Sequence, residues 1–527
     1  MRRALSLALV AVSLAACGDE LSNPYAAAPQ GAVVFADRAV VHHDAGLARL
    51  TVLVPTLTGG LVRTHVALRS PALRIEVSAD GSRVFVLTQG TEKSRTRQAV
   101  APELLVLSVE GEAATSKSYT LPVGFGAIVG DPEGRYVALL PGAAPSASVV
   151  SNPNALAVVK LDAPPSAQNP VVRSATRSNA VAEPLVFSPT LTTPRGEKRF
   201  LVAVGTREVA LIDLAAAFAG EAAPDLTIPL TSAGATSTLV PSMVRFDDGE
   251  LNAADDARLA FALANDSSLL TATLAANDAP AAGESNLRAI VNLTDVGANV
   301  SDFAFVATPE GRRIAALTPR RQRAILADPQ TSLTTSVPMP YAYDSLRVML
   351  GATTSTVMLS QRRGANGAVA LWDIPKTENQ PYRAVETLVD VSSLEAVIPV
   401  PGSTTKFLVQ SASATELVLF DVATRERTSV TAPTLGRLVL AKDGQRLYIA
   451  PRYGDVSCAT VSLANLTSWS FAAGSSVAGF GELRRADGSP LVALTHGTAN
   501  ESLTLFDPSR SDALGARWDD LLVEGVR

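Results

Sequence analysis

One stretch constrains the fold more than any other. Ser78-Ala-Asp-Gly-Ser-Arg-Val-Phe-Val-Leu-Thr-Gln-Gly90 joins an acid–glycine pair to a short apolar run and ends in a second glycine. The pair is a tight-turn signal, and the run, rich in β-branched residues, reads as a strand. The stretch returns as Gly130-Asp-Pro-Glu-Gly-Arg-Tyr-Val-Ala-Leu-Leu-Pro-Gly142, Thr308-Pro-Glu-Gly-Arg-Arg-Ile-Ala-Ala-Leu-Thr318, Ala441-Lys-Asp-Gly-Gln-Arg-Leu-Tyr-Ile-Ala450 and Ala486-Asp-Gly-Ser-Pro-Leu-Val-Ala-Leu-Thr-His-Gly497. Looser copies start at Arg199, Ala257 and Lys406, without an acid–glycine pair directly before them. A second set of runs ends in an acid: Leu156 to Asp162, Val209 to Asp213, Val369 to Asp373, Leu417 to Asp421 and Leu503 to Asp507.

The turn glycines stand at 81, 134, 311, 444 and 488, with gaps of 53, 177, 133 and 44. The two long gaps each hold three units, so the period is on the order of 40–50 residues with insertions. One unit is four short strands. Such a unit cannot bury both faces alone, and radial packing around a channel solves that. No long stretch of period 3.6 separates the runs, which argues against alternating strands and helices. The pattern resembles the WD40-like or YVTN-type β-propellers that carry an Asp-Gly turn in each blade. The expectation is an all-β chain: a single β-propeller over 32–527, with four-stranded blades numbering about eight (seven to nine). Nine slots for an inner strand can be counted, those near 186–196, 240–256 and 346–352 poorly formed. Part of the segment from Val33 to Ser70 is expected to pair with the C-terminal blade and close the ring.

The first residues are a targeting segment. Arg2 and Arg3 precede a thirteen-residue apolar run, Ala4 to Ala16, too short to span a bilayer and of signal-peptide length. It ends in Leu14-Ala15-Ala16-Cys17, which resembles the lipobox of bacterial lipoproteins. The resemblance implies that 1–16 is a lipoprotein signal peptide and that Cys17 is lipidated on sulfur and becomes the new N-terminus. Several acyl chains would anchor it firmly. Residues 17–31 read as the lipidated Cys and a flexible tether of small, polar and proline residues. The resemblance places the chain in the cell envelope, and Gly18 directly after the cysteine points to the outer membrane. The other cysteine, Cys458, lies in a strand-like run and reads as a small buried residue. With Cys17 lipidated no intramolecular disulfide forms.

The 527 residues are 47% hydrophobic and 18% charged, with a net charge of −5. A basic face is not implied, so nucleic acid is not an expected partner. Only seven of the 45 basic residues are lysines, and alanine is abundant; this looks like coding bias and lowers the weight of alanine as a helix signal.

Chemistry-bearing motifs are sparse. The four histidines, His42, His43, His65 and His496, read as surface or turn residues. Adjacent His42 and His43 point to opposite faces of a strand and do not share a metal. The acidic run from Asp247 to Asp256 offers one calcium candidate, Asp247, Asp248, Glu250, Asp255 and Asp256, although EF-hand spacing is absent and a solvated loop is the plainer reading. Gly124-Phe-Gly126 is read as part of a propeller strand rather than a dinucleotide loop, because no helix follows. Arg320 to Arg323 and Arg362-Arg363 read as solvated loop tips. No catalytic residue and no cofactor is assigned. The inner strands read as mostly apolar or small, with Leu73 to Val77 the exception through Arg74 and Glu76. That favours a monomeric, non-enzymatic binding or scaffold module for an envelope protein or polysaccharide. A hydrolase or lyase with a central site and a purely structural role are the alternatives.

Overall fold

The computed structural model describes residues 33–519 apart from 45–47, 92–97, 141–154, 175–181, 206, 220–225, 231–237, 248–256, 282–283, 350–355, 362–366, 392–393, 412–415, 432–435, 452–456, 466, 474–476, 497–501 and 510–515. The apolar runs form strands, and consecutive runs pair antiparallel into ten four-stranded sheets among the described residues. The sheets occupy 33–67, 72–120, 127–174, 182–229, 241–295, 302–338, 345–391, 394–431, 436–472 and 479–518. They are blades 1 to 10, with strands A to D from the inside out. A hairpin, Leu191–Thr193 with Gly196–Lys198, interrupts blade 4 between A and B. Two short helices, α1 (Leu214–Ala219) and α2 (Lys376–Asn379), sit in C–D connections. No helix among the described residues is long and apolar enough to cross a membrane.

Ten hydrophobic clusters hold the ring together, one at each of its ten joints. Strand B of blade 2, Arg83–Thr88, shows how the sequence achieves this. Val84 and Val86 enter the joint with blade 1, while Phe85 and Leu87 enter the joint with blade 3. A strand buried on both faces must be apolar at every position, which is why the runs are continuous rather than alternating.

The ring closes by face packing. Blade 1 supplies Val40 and Leu53, and blade 10 supplies Leu483, Leu491, Ala493, Leu503 and Leu505. Phe35 lies against the Gly479-Phe-Gly481 strand, where a Cβ on Gly481 would come within 2.7 Å of the Phe35 ring. Closure therefore needs no exchanged strand. Residues 33–67 form a complete blade of their own, and blade 10 draws all four strands from 479–518. This corrects the expected blade number from about eight to ten, and the expected pairing of the first segment with the last blade. Gly124-Phe-Gly126 lies just before strand A of blade 3, Ala127–Gly130, rather than within it.

The acid–glycine turns are A–B turns. Glycines 81, 134, 311, 444 and 488 all have positive φ, a region in which L side chains are strained. In four of the five copies the glycine N–H donates to the carbonyl three residues earlier, as Gly81 does to Ser78 (2.8 Å) and Gly444 to Ala441 (2.9 Å). Gly444 is constrained twice, because a Cβ there would stand 2.0 Å from the Pro401 carbonyl oxygen of blade 8. The acids that end the C strands cap the turns that follow: Asp213 Oδ1 accepts from the Ala215 N–H (3.0 Å), and Asp421 Oδ1 from the Ala423 N–H (2.9 Å).

Candidate functional site: the turn-bearing face and the inner wall

In an antiparallel four-strand meander the A–B and C–D turns emerge at one end, so one face of the ring carries both. On it, side chains from several turns reach other blades. The Arg83 guanidinium bonds the Gly134 carbonyl, from blade 2 to blade 3. Arg199 of blade 4 pairs with Asp131 and Glu133 of blade 3, and its Nε donates to the Ser188 carbonyl (3.2 Å). Arg195, on the blade 4 hairpin, pairs with Asp278 of blade 5 (2.8 Å). Lys442 of blade 9 pairs with Asp37 of blade 1, and its backbone N–H donates to Glu482 Oε2 of blade 10 (2.8 Å). The Arg484 N–H and the Gly81 carbonyl bracket Asp37 with bonds of 2.7 and 2.6 Å.

These contacts assign the turn acids to structure. The Asp80 carboxyl would be raised by burial, but hydrogen bonds from Ser78 and Ser82 outweigh that and hold it below the usual carboxylate range. Asp131 is fully buried and accepts from the backbone N–H groups of Glu133, Arg135 and Tyr136 (3.0, 3.0 and 3.2 Å) besides Arg199.

The inner wall carries more charge than the sequence reading allowed. Besides Arg74 and Glu76 on blade 2, strands A bear Arg245, Asp302, Arg347, Glu395 and Glu482. Asp302 has partners across two joints: its Oδ1 stands 3.3 Å from Arg245 of blade 5, and its Oδ2 accepts from the Leu346 N–H of blade 7 (3.0 Å). Arg74 Nε donates to the Gly126 carbonyl (3.4 Å). Burial pushes the Glu76 and Glu482 carboxyls up. Among the described residues no three His, Cys, Asp or Glu side chains gather to hold a metal ion.

Among the described residues, the same turn-bearing face carries two small cavities and three of the most exposed large apolar side chains. One cavity, about 70 Å³, lies between blades 7 and 8 beside the Lys376–Asp373 and Arg425–Glu386 pairs (2.7 Å each). The other, about 170 Å³, lies between blades 10 and 1. Tyr382, Leu333 and Leu57 stand on C–D turns of blades 7, 6 and 1, exposed by 86%, 72% and 52%. Periodicity does not single out these tips, since they stand in turns rather than runs.

The sequence-derived candidates fall as follows. Cys17 lies outside the described residues, as do Asp248, Glu250, Asp255, Asp256, Arg362 and Arg363. Asp247, at the end of blade 5 strand A, stands 3.2 Å from Arg312 Nε and 3.9 Å from an Arg258 terminal nitrogen. Arg320 to Arg323 is exposed, as expected, and Cys458 is fully buried. Two histidines correct the expectation of surface positions, His42 and His496, which are buried, whereas His65 is exposed as expected. His42 and His43 do alternate in burial along Val40–Asp44, and His42 lies opposite Thr51, which bonds His65 Nδ1 (3.1 Å). His496 Nε2 lies 2.7 Å from Thr504 Oγ1. The His42 strand is an interior element of its blade, and His496 directly follows another, Pro490–Thr495.

The class that fold and site define is an all-β, single-ring propeller of four-stranded antiparallel blades. No known family model matches the chain, and no curated protein matches it. Among solved structures it is similar to a dihydro-heme d1 dehydrogenase, NirN, at 9% identity over 93% of this chain and 74% of that one, with a TM-score of 0.35. It is also similar to dipeptidyl peptidase 4 of Porphyromonas gingivalis at 12% identity over 92% and 66%, TM-score 0.40. Apo AztD from Citrobacter koseri matches at 12% over 73% and 92%, TM-score 0.33. At these identities and scores no activity, ligand or partner carries over.

Proposed function

We propose that this chain is an envelope lipoprotein, anchored at the outer membrane through lipid on Cys17, whose propeller is a non-enzymatic binding module for a protein or polysaccharide. The observation that carries the reading is how the ionisable side chains are used. Acids of the turns and inner wall, Asp131, Asp302 and Glu482 among them, bond N–H groups and guanidinium groups of neighbouring blades. A rigid ring with exposed tips such as Tyr382 and Leu333 is a scaffold on which turns carry specificity.

Anchoring predicts that the wild type sediments with membranes, enters detergent, and shows an acylated N-terminal cysteine by mass spectrometry. Cys17→Ser is expected to leave an unlipidated chain. Identical fractionation and N-terminal mass for the two would overturn the anchor. For the module, pull-down from envelope fractions with the lipidated protein is expected to recover a protein or polysaccharide unchanged by the incubation. Recovery of nothing would favour a structural role, and turnover of the recovered molecule would favour an enzyme.

A further inference from the structure

The cavity at the closing joint of the ring has a chemistry of its own. Its apolar wall is Leu491, Leu505 and Trp518 of blade 10, its rim is the Thr56 to Gly60 turn of blade 1, and Arg485 and Asp507 supply its polar side. Arg485 Nη2 stands 3.4 Å from Asp507 Oδ2, and Arg485 Nη1 donates to Ser489 Oγ (3.0 Å). Arg485 Nε is buried with no hydrogen-bond partner in the structure. Burial would raise the Asp507 carboxyl, but hydrogen bonds from Ser509 and the nearby Arg485 outweigh it, so the group stays ionised.

One cation and one anion leave the site neutral, which disfavours an ionic ligand. They also set a donor group beside an acceptor, next to an apolar wall that includes an indole. A ligand that matches has an apolar face and a rim of groups that both donate and accept. A pyranose ring has this form, with C–H bonds across its face and hydroxyls at its edge. The size agrees: an apolar cavity of about 150 Å³ takes one benzene ring, and this one is about 170 Å³. The cavity between blades 7 and 8 lacks the combination, since no aromatic side chain lines it and its charges do not balance.

We infer that the cavity between blades 10 and 1 receives one pyranose ring of a neutral glycan, stacked on Trp518 and oriented by Arg485 and Asp507. The inference rests on the binding-module reading and deepens it. The test is calorimetric titration of the full lipidated protein, in a sugar-free detergent, with maltotriose, cellotriose and chitotriose. At least one is expected to bind. Trp518→Ala and Asp507→Asn are each expected to weaken binding by about tenfold or more, the scale of one lost aromatic or charged contact. Trp518→Phe, which keeps an aromatic ring on the same wall, is expected to retain most of it and guards against a folding defect. Absence of binding by all three sugars, or equal affinity in Trp518→Ala and Asp507→Asn, would overturn the assignment. A protein that captures an envelope partner yet binds no trisaccharide overturns this site alone. One that binds a trisaccharide through Trp518 yet captures nothing overturns the envelope-partner reading alone.

Discussion

Arg199→Ala is expected to destabilise the ring by about 3 kcal/mol, the low end of the range for breaking a buried ion pair from one side. The Arg199 side chain is 8% exposed and pairs with Asp131, which is fully buried. Removing the guanidinium leaves that carboxylate in the joint between blades 3 and 4 without its counter-charge. Three backbone N–H groups still bond it, which is why the low end applies. The same turn offers a contrast. Arg135 pairs with Glu133 where both side chains are largely exposed, 50% and 40%, so Arg135→Ala is worth under about 1 kcal/mol. Adding Asp131→Asn to Arg199→Ala removes the orphaned charge while keeping an acceptor for the turn, so the double variant is expected to lose less than the sum of the single losses. Urea unfolding midpoints of the four proteins check the cycle. Additive losses, or an Arg199→Ala midpoint equal to wild type, would show that the clasp does not hold the joint.

The turns that make this joint were readable in advance. Gly81, Gly134, Gly311, Gly444 and Gly488 all have the positive φ that their acid–glycine pairs imply. The spacing was informative too: the glycines mark blades 2, 3, 6, 9 and 10, and each long gap does span three blades. The count fell short because blade 1 turns through Ala36 to Ala39 with no acid–glycine pair, closed by the Ala36 N–H to the Ala39 carbonyl (2.9 Å). Blade 7, likewise, has strand A Ser345–Met349, whose central Arg347 breaks the apolar run. The charged inner wall was hidden for a related reason. An inner strand packs side chains into two joints while its free edge meets the channel, so Arg245 or Glu482 can stand within it without marking a site. Partners such as Arg199 with Asp131 join residues one blade apart, a distance along the chain that no local pattern encodes. The burial of His42 was missed because it lies on the second strand of blade 1, a segment that carries no acid–glycine pair.

His42 makes the ring sensitive to acid. It is 1% exposed at the joint between blades 10 and 1, and neither ring nitrogen has a hydrogen-bond partner in the structure. Burial lowers its pKa from 6.5 to about 4. Asp44, Arg49, Arg63 and His65 share its sheet face, and blade 10 brings Arg485 and Asp507 to this joint besides its apolar residues. A depressed histidine is neutral in the folded state, so between the two pKa values the unfolded chain binds the extra proton. Stability is therefore full above about pH 7, falls as pH drops through 6.5, and levels off below 4. The loss is about 2 kcal/mol at pH 5 and about 3 kcal/mol at its limit. Glu76 and Glu482 act with the opposite sign, since burial raises them and their protonation favours the folded state. Asp80 and Asp328, held low, lose their contribution only at still lower pH. His42→Leu fills the site without a titrating group. Its unfolding midpoint is expected to fall less than that of wild type between pH 7 and pH 5, by an amount equivalent to about 2 kcal/mol. His43→Leu is the control for the neighbour on the other face, which is half-buried and whose pKa burial also lowers. Parallel pH profiles for wild type and His42→Leu would place the acid sensitivity elsewhere.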